Sequence, residues 1–300
     1  MNIIETYDLT KHFGETKAVD DVSIHVRTGE IYGFLGLNGA GKTTAIRLLL
    51  GMIKSDSGSV SLFGKNLKQA SNLWNEVGYL VETPYSYPNL SVRENLEVIY
   101  RLRGLKDKSR IDRIIKVLQL SSYQDKKAKY LSMGNNQRLG LAKALMHNPK
   151  LLILDEPING LDPAGIVEIR EFLKDLVQNQ GTTIFLSSHI LSEISKLATR
   201  IGIVHQGKLI KELNTNLLEQ QIIKKLCINT ADNQKALETV VGKGLSGSIN
   251  DTGCIEMTDV QAISHPETIA SLLVNSGFPP KMLNVFEEDL EAYFLRMIGN

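Results

Sequence analysis

The sequence is short of the features that would tie it to several large protein classes. Its two cysteines, Cys227 and Cys254, lie late in a chain of 300 residues and form no metal-like spacing. That rules out a disulfide framework and points to a reduced, cytoplasmic setting. No apolar run reaches the roughly 18 residues a membrane span needs. The first ten residues, MNIIETYDLT, are acidic and hold no signal-peptide core. Neither sign of charge dominates: 34 basic residues face 33 acidic ones, for a net charge of +1. That balance speaks against a nucleic-acid partner. The single tryptophan, Trp74, reads as a packing residue. What remains is a chain long enough for a large core and two domains.

The strongest signal is IYGFLGLNGAGKTTAIRLLL, residues 31–50. Ile31–Leu35 is a short apolar run, as a buried strand should be. Gly36, Leu37, Asn38, Gly39, Ala40, Gly41, Lys42 and Thr43 fit the phosphate-loop pattern G-x-x-x-x-G-K-[ST]. Apolar residues then recur at helical spacing up to Gly51. The glycines let the backbone turn its N–H groups onto phosphate oxygens, and the helix N-terminus adds its dipole. Lys42 is expected to reach the β- and γ-phosphates and Thr43 to place its hydroxyl on Mg²⁺. Thr44 offers a second hydroxyl nearby or only a helix start. Upstream, Phe13 beside Gly14 is placed in a linker. It could stack on an adenine ring or simply pack a hairpin.

From Pro84 to about His147 the chain turns helical, with apolar faces over Val92–Arg103 and Ser109–Leu118 and a further helix over Asn135–His147. This reads as a helical insertion in a strand-rich core. Lys126, Lys127 and Lys129 read as a solvated face. Ser132 can N-cap the last of these helices. The following Gly134 is not needed for capping, which admits a second anion-binding helix start. Leu151–Leu154 is an apolar strand that delivers Asp155 and Glu156 to a sheet edge, where open α/β sheets bind ligands. Asp155 fits a Mg²⁺ ligand and Glu156 a base that orients water. Asp162 is a good N-cap for a helix over Ala164–Gln178. The strand Thr182–Leu186 leads into Ser187, Ser188 and His189, which brings a histidine to the same edge. The other histidines have no comparable setting.

Taken in order, these residues resemble the ATP-binding subunit of an ATP-binding-cassette transporter, over about Ile3–Asn214. The resemblance implies an α/β phosphate-loop NTPase cassette over residues 1–216, with a helical subdomain at about 84–147. It implies ATP and Mg²⁺ as cofactors. Phe13 would stack on adenine. Gly36, Asn38, Gly39, Gly41, Lys42, Thr43 and Thr44 would hold the phosphates. Ser132 and Gly134 would form a signature motif touching the γ-phosphate bound by a second copy of the chain. Asp162 would cross that dimer interface, and His189 would sense the γ-phosphate. Partners would be membrane-embedded permease subunits, with the chain at the cytoplasmic face of the membrane.

Two positions depart from the family pattern. Glu82 stands where glutamine is usual, and Leu131–Asn135 reads L-S-M-G-N rather than L-S-G-G-Q. An ionised Glu82 is expected to ligate Mg²⁺ or to meet a basic residue of the permease. A glutamate here resembles exporters that confer bacitracin resistance or lantibiotic immunity. Residues 217–300 read as a small α+β appendage without catalytic residues, closing with a helix over Phe286–Ile298. A soluble ATPase of the same superfamily, acting on ribosomes or DNA, is the main alternative. The former kind usually carries two cassettes and the latter a long coiled coil. This chain has one phosphate loop and no such coil.

Overall fold

The computed structural model describes residues 1–67, 73–82 and 84–299. The chain divides into two units, Met1–Leu217 and Leu218–Asn300.

The first unit is built on a six-stranded sheet in the order Lys208–Asn214, Arg200–His205, Ile31–Leu35, Thr183–Ser188, Leu151–Asp155, Val77–Leu80. Only the Arg200–His205 and Lys208–Asn214 pair is antiparallel; the other pairings are parallel. Every residue of Ile31–Leu35, Leu151–Asp155 and Thr183–Ser188 is buried. That is why these strands read as continuous apolar runs, since a parallel sheet is covered on both faces. Register puts Leu35 opposite Ser188, Asp155 opposite Ser187 and Leu80 opposite Leu154. Four strands therefore end side by side at one sheet edge. Tyr32 and Phe185 stack across neighbouring strands, 5.6 Å apart, and fix the middle of the core.

A second, antiparallel sheet joins Thr16–Val22, Asn2–Phe13, Ser57–Leu62 and Lys65–Asn66, with His25–Arg27 paired to Asn2–Phe13. Phe13 is the last residue of a strand, opposite Thr16, rather than part of a linker. Bulges between Leu9 and His12 break the alternation there, so the strand looks shorter in sequence than it is. The sequence also reads as a polar helix over Gln69–Trp74, most of which lies outside the described residues. Trp74 itself packs on the core.

The helices Val92–Leu102, Ser109–Val117 and Met133–Leu145 lie in the chain between the strands Val77–Leu80 and Leu151–Asp155. Ser91 closes a full capping box with Glu94. Asn95, buried, bonds the carbonyls of Tyr87, Leu90 and Ser91 and the N–H of Tyr87, which fixes the turn leading into this region.

The second unit runs strand Lys224–Asn229, helix Asn233–Val241, strands Ser248–Ile249 and Ile255–Met257, helices Val260–Ser264 and Pro266–Asn275, then strand Met282–Glu287. Its four strands are ordered Ser248–Ile249, Ile255–Met257, Lys224–Asn229, Met282–Glu287, all antiparallel. This is a split βαβ arrangement, with Leu226, Ile228, Val240, Ile255 and Leu273 in its core. Phe286 belongs to the last strand, opposite Lys225, and the final helix starts only at Leu290. Pairing with Lys224–Asn229 decides this, and no local period reveals it.

Candidate functional site

Residues 36–41 leave the sheet edge at Leu35 and turn directly into the helix Lys42–Leu49. Gly39 and Gly41 have φ of 82° and 102°, a region that penalises any Cβ. A Cβ on Gly41 would also lie 2.0 Å from the carbonyl oxygen of Ala18. The neighbouring hairpin thus presses on the loop so closely that only glycine fits. Leu37, Asn38 and Gly39 are exposed. The first-turn N–H groups of the helix have no intrahelical acceptor. A cradle of backbone donors open to one side suits a chain of phosphates.

Lys42 is buried, 6% exposed, and folds back over this loop. Its Nζ donates to the carbonyls of Gly36 at 2.7 Å and Leu37 at 3.3 Å. It also lies 3.3 Å from Glu156 Oε1. Thr43 Oγ1 donates to Asp155 Oδ2 at 2.7 Å, and Thr44, half-buried, follows in the same turn. A hydroxyl and a carboxylate in contact at the end of a phosphate cradle are the hard oxygen donors Mg²⁺ takes, so the residues present fit that ion.

Glu156 follows its strand in a left-handed conformation, φ 48°, which ends the strand at once. Its two carboxylate oxygens have different partners. Oε1 faces Lys42, while His189 Nδ1 donates to Oε2 at 2.9 Å. Lys42, Glu156 and His189 therefore form one chain of contacts across three adjacent strand ends.

Two residues that carried no assigned role in the sequence hold this group in place. Ser187, wholly buried, donates from Oγ to Asp155 Oδ1 at 2.5 Å and accepts from the Glu156 N–H at 3.1 Å. Gln137 Nε2 donates to the Glu156 carbonyl at 3.1 Å. The signal for Ser187 is its register opposite Asp155, which exists only once the strand order is known.

Glu82 ends the strand Val77–Leu80 region with φ 58° and pairs with Arg47 of the helix Lys42–Leu49. The sequence reading expected Mg²⁺ or a permease cation as its partner. The partner present is a cation of the chain itself, because the helix after the phosphate loop runs past the end of this strand.

Ser132, Gly134 and Asp162 gather elsewhere. Ser132 caps the helix Met133–Leu145 by accepting from the Asn135 N–H at 3.2 Å. Asp162 caps Pro163–Gln180 by accepting from the Gly165 N–H at 3.0 Å. A Cβ on Gly134 would lie 3.3 Å from the Gly160 carbonyl oxygen, so the two helix starts touch. Between them lies a concavity of about 630 Å³ that includes Ser132, Gly134 and Asp162 and no residue of the phosphate loop. Phe13 stands alone, 52% exposed, with Lys11 Nζ 5.6 Å over its ring. The predicted residues thus form two clusters and one separate aromatic.

Burial and the nearby Arg103 push His147 down to about 4, and burial pushes Lys143 down to about 8. Neither touches the phosphate cradle. Lys143 donates to the Tyr85 carbonyl and to Ser86 Oγ, tying that loop to the helix Met133–Leu145.

Comparison with known proteins points the same way. The family described as ABC transporter matches residues 19–159. Bacitracin transport ATP-binding protein BcrA of Bacillus licheniformis is 42% identical over 301 residues, covering 99% of this chain and 97% of that protein. Lantibiotic transport ATP-binding protein SrtF of Streptococcus pyogenes is 37% identical, over 70% of this chain and 90% of its own length. Among solved structures, an ATP-binding subunit of an ABC transporter superposes with a TM-score of 0.66 at 27% identity. It covers 73% of this chain and 92% of its own.

Proposed function

The chain belongs to the ABC transporter family as an ATP-binding and ATP-hydrolysing subunit, and on that premise we propose that it powers export of a bacitracin- or lantibiotic-type peptide through separate permease subunits. The observation that carries the cargo class is the 42% identity to a bacitracin transport subunit across 99% of the chain, second unit included. None of the helices among the described residues is long and apolar enough to cross a membrane. In this reading the permease subunits provide the path for cargo and hold the chain at the cytoplasmic face of the membrane.

The site geometry supports the following residue roles. Backbone N–H groups of Gly39, Gly41, Lys42, Thr43 and Thr44 hold the phosphates, Gly36 and Asn38 shape the turn (the Gly36 N–H is taken by the Ser188 carbonyl at 3.1 Å), and Phe13 offers its open ring face to the adenine. Lys42 leaves its carbonyl partners to meet the γ-phosphate. Thr43 and Asp155 hold Mg²⁺, which when bound neutralises charge on the β- and γ-phosphate oxygens. Glu156 polarises the attacking water, and His189 steadies both that carboxylate and the terminal phosphate. Ser132, Gly134 and Asp162 line a separate face. They complete the site of a second copy, so that each ATP is enclosed between two protomers. Closure around ATP and reopening after hydrolysis drive the permease.

The test is recovery of partners by a tagged Glu156→Gln chain from detergent-solubilised membranes in ATP. Small polytopic membrane proteins should co-purify. Cells expressing the complete set should survive bacitracin or a lantibiotic better than cells carrying Lys42→Ala. Recovery of ribosomes or only soluble proteins would overturn the export reading and leave the ATPase chemistry standing.

A further inference from the structure

Two acids from neighbouring strands meet the helix Lys42–Leu49. Asp155 ends one strand and accepts a hydrogen bond from Thr43. Glu82 follows the adjacent, parallel strand, whose Leu80 lies opposite Leu154, and pairs with Arg47. Thr43 and Arg47 are four residues apart, so they share one face of the helix with Cβ atoms about 5–6 Å apart. Glu82 lies two residues past Leu80 and Asp155 one past Leu154, so the two acids leave adjacent strand ends beside this face of the helix. Neighbouring strands lie about 4.8 Å apart, so a change of rotamer can carry the Glu82 carboxylate from Arg47 towards Asp155.

Charge explains why the holding matters. The site already contains Asp155 and Glu156, and ATP adds more negative charge. An unpaired carboxylate at position 82 would either repel the phosphates or bind the metal ahead of the nucleotide. Arg47 is 38% and Glu82 54% exposed, so the pair is solvated and weak enough to open.

We propose that Arg47 is a positioning residue for Glu82: it parks the carboxylate away from the metal site, and Mg²⁺·ATP has to compete with the guanidinium for it. Glu82 then has two stations, Arg47 at rest and the Thr43–Asp155 metal site when loaded. Arg47 sets the balance between them. This rests on the ATPase reading of the phosphate loop and adds a residue to it.

The experiment compares four full-length proteins: wild type, Arg47→Met, Glu82→Gln and the double variant. Methionine keeps the helix and the apolar stem and removes the charge. The readout is the Mg²⁺ concentration needed for half-maximal binding of a fluorescent, non-hydrolysable ATP analogue, which requires no turnover. Arg47→Met should lower that concentration about two- to fivefold, the factor that an exposed pair of about 0.4–1 kcal/mol represents. In the Glu82→Gln background the same substitution should produce no shift. Arg47→Lys should behave much like wild type, and raising the salt should shrink the wild-type difference. No shift from Arg47→Met, or an equal shift in both backgrounds, overturns the proposal. If wild type itself fails to bind the analogue, the phosphate-loop reading falls first and this inference with it.

Discussion

Ser187→Ala is the sharpest probe of how the acids are held. The hydroxyl is fully buried and serves two neighbours at once, accepting from the Glu156 N–H at 3.1 Å and donating to Asp155 Oδ1 at 2.5 Å. Removing it leaves a part-buried amide without a partner and strips one bond from a buried carboxylate. A bond to a charged group is worth about 1.5–3 kcal/mol and an orphaned buried donor costs about 1–3 kcal/mol. The two losses share one oxygen and do not add in full, so a combined cost of about 3 kcal/mol, near the lower end of their sum, is expected. For a unit of this size each kcal/mol moves the melting temperature by about 2–4 °C, which predicts a drop of about 6–12 °C. Asp155 keeps Thr43 but loses the group that orients its other oxygen. Partners of metal ligands typically cost about 10–100-fold in metal affinity or activity when removed. Thermal unfolding by circular dichroism gives the first number, and the Mg²⁺ dependence of ATP hydrolysis gives the second. In an Asp155→Asn background the same substitution should cost less, because the charged acceptor is gone. A variant that melts with wild type and keeps its Mg²⁺ dependence would refute the arrangement of Ser187 between the two acids.

Other consequences can be checked alongside. Lys42→Ala should abolish ATP turnover, and a phosphate-release assay showing normal rates would remove the phosphate-loop assignment. Gly41→Ala should lose nucleotide binding and stability together, since a left-handed residue alone costs about 1–2 kcal/mol and its Cβ would meet the Ala18 carbonyl at 2.0 Å. Burial holds His147 down at about 4 in the folded chain against 6.5 when free. Below pH 6.5 the unfolded chain therefore binds a proton that the folded chain refuses. Stability should fall as pH drops from 6.5 towards 4. His147→Gln, which can still donate to the Val77 carbonyl, should flatten that part of the profile measured by urea unfolding.

Much of the site is local and was legible before any fold was known. The phosphate loop is contiguous, and its glycines, Lys42 and Thr43 are read from neighbours along the chain. Asp155 and Glu156 announce themselves by ending an apolar strand. The helices of the insertion declare their periods, and Ser132 declares itself as the cap of the last of them. Long-range pairing is what local sequence does not carry. Bulges in the strand Asn2–Phe13 erase its alternation, so Phe13 looks like a linker residue. The strand that holds Phe286 exists only by pairing with Lys224–Asn229, so the residue looks helical.

Residues 31–50 alone determine that this chain bends a glycine loop between a strand and a helix, because backbone conformation and first-turn donors depend on immediate neighbours. Strand order is a different kind of fact. It sets Ser187 beside Asp155, closes Lys42, Glu156 and His189 into one network, and hands Glu82 to Arg47. These residues are far apart in sequence, and their contacts arise when separate strands choose neighbours in a sheet. That choice is made by burying apolar surface on both faces, a property of the assembled core that no single segment carries.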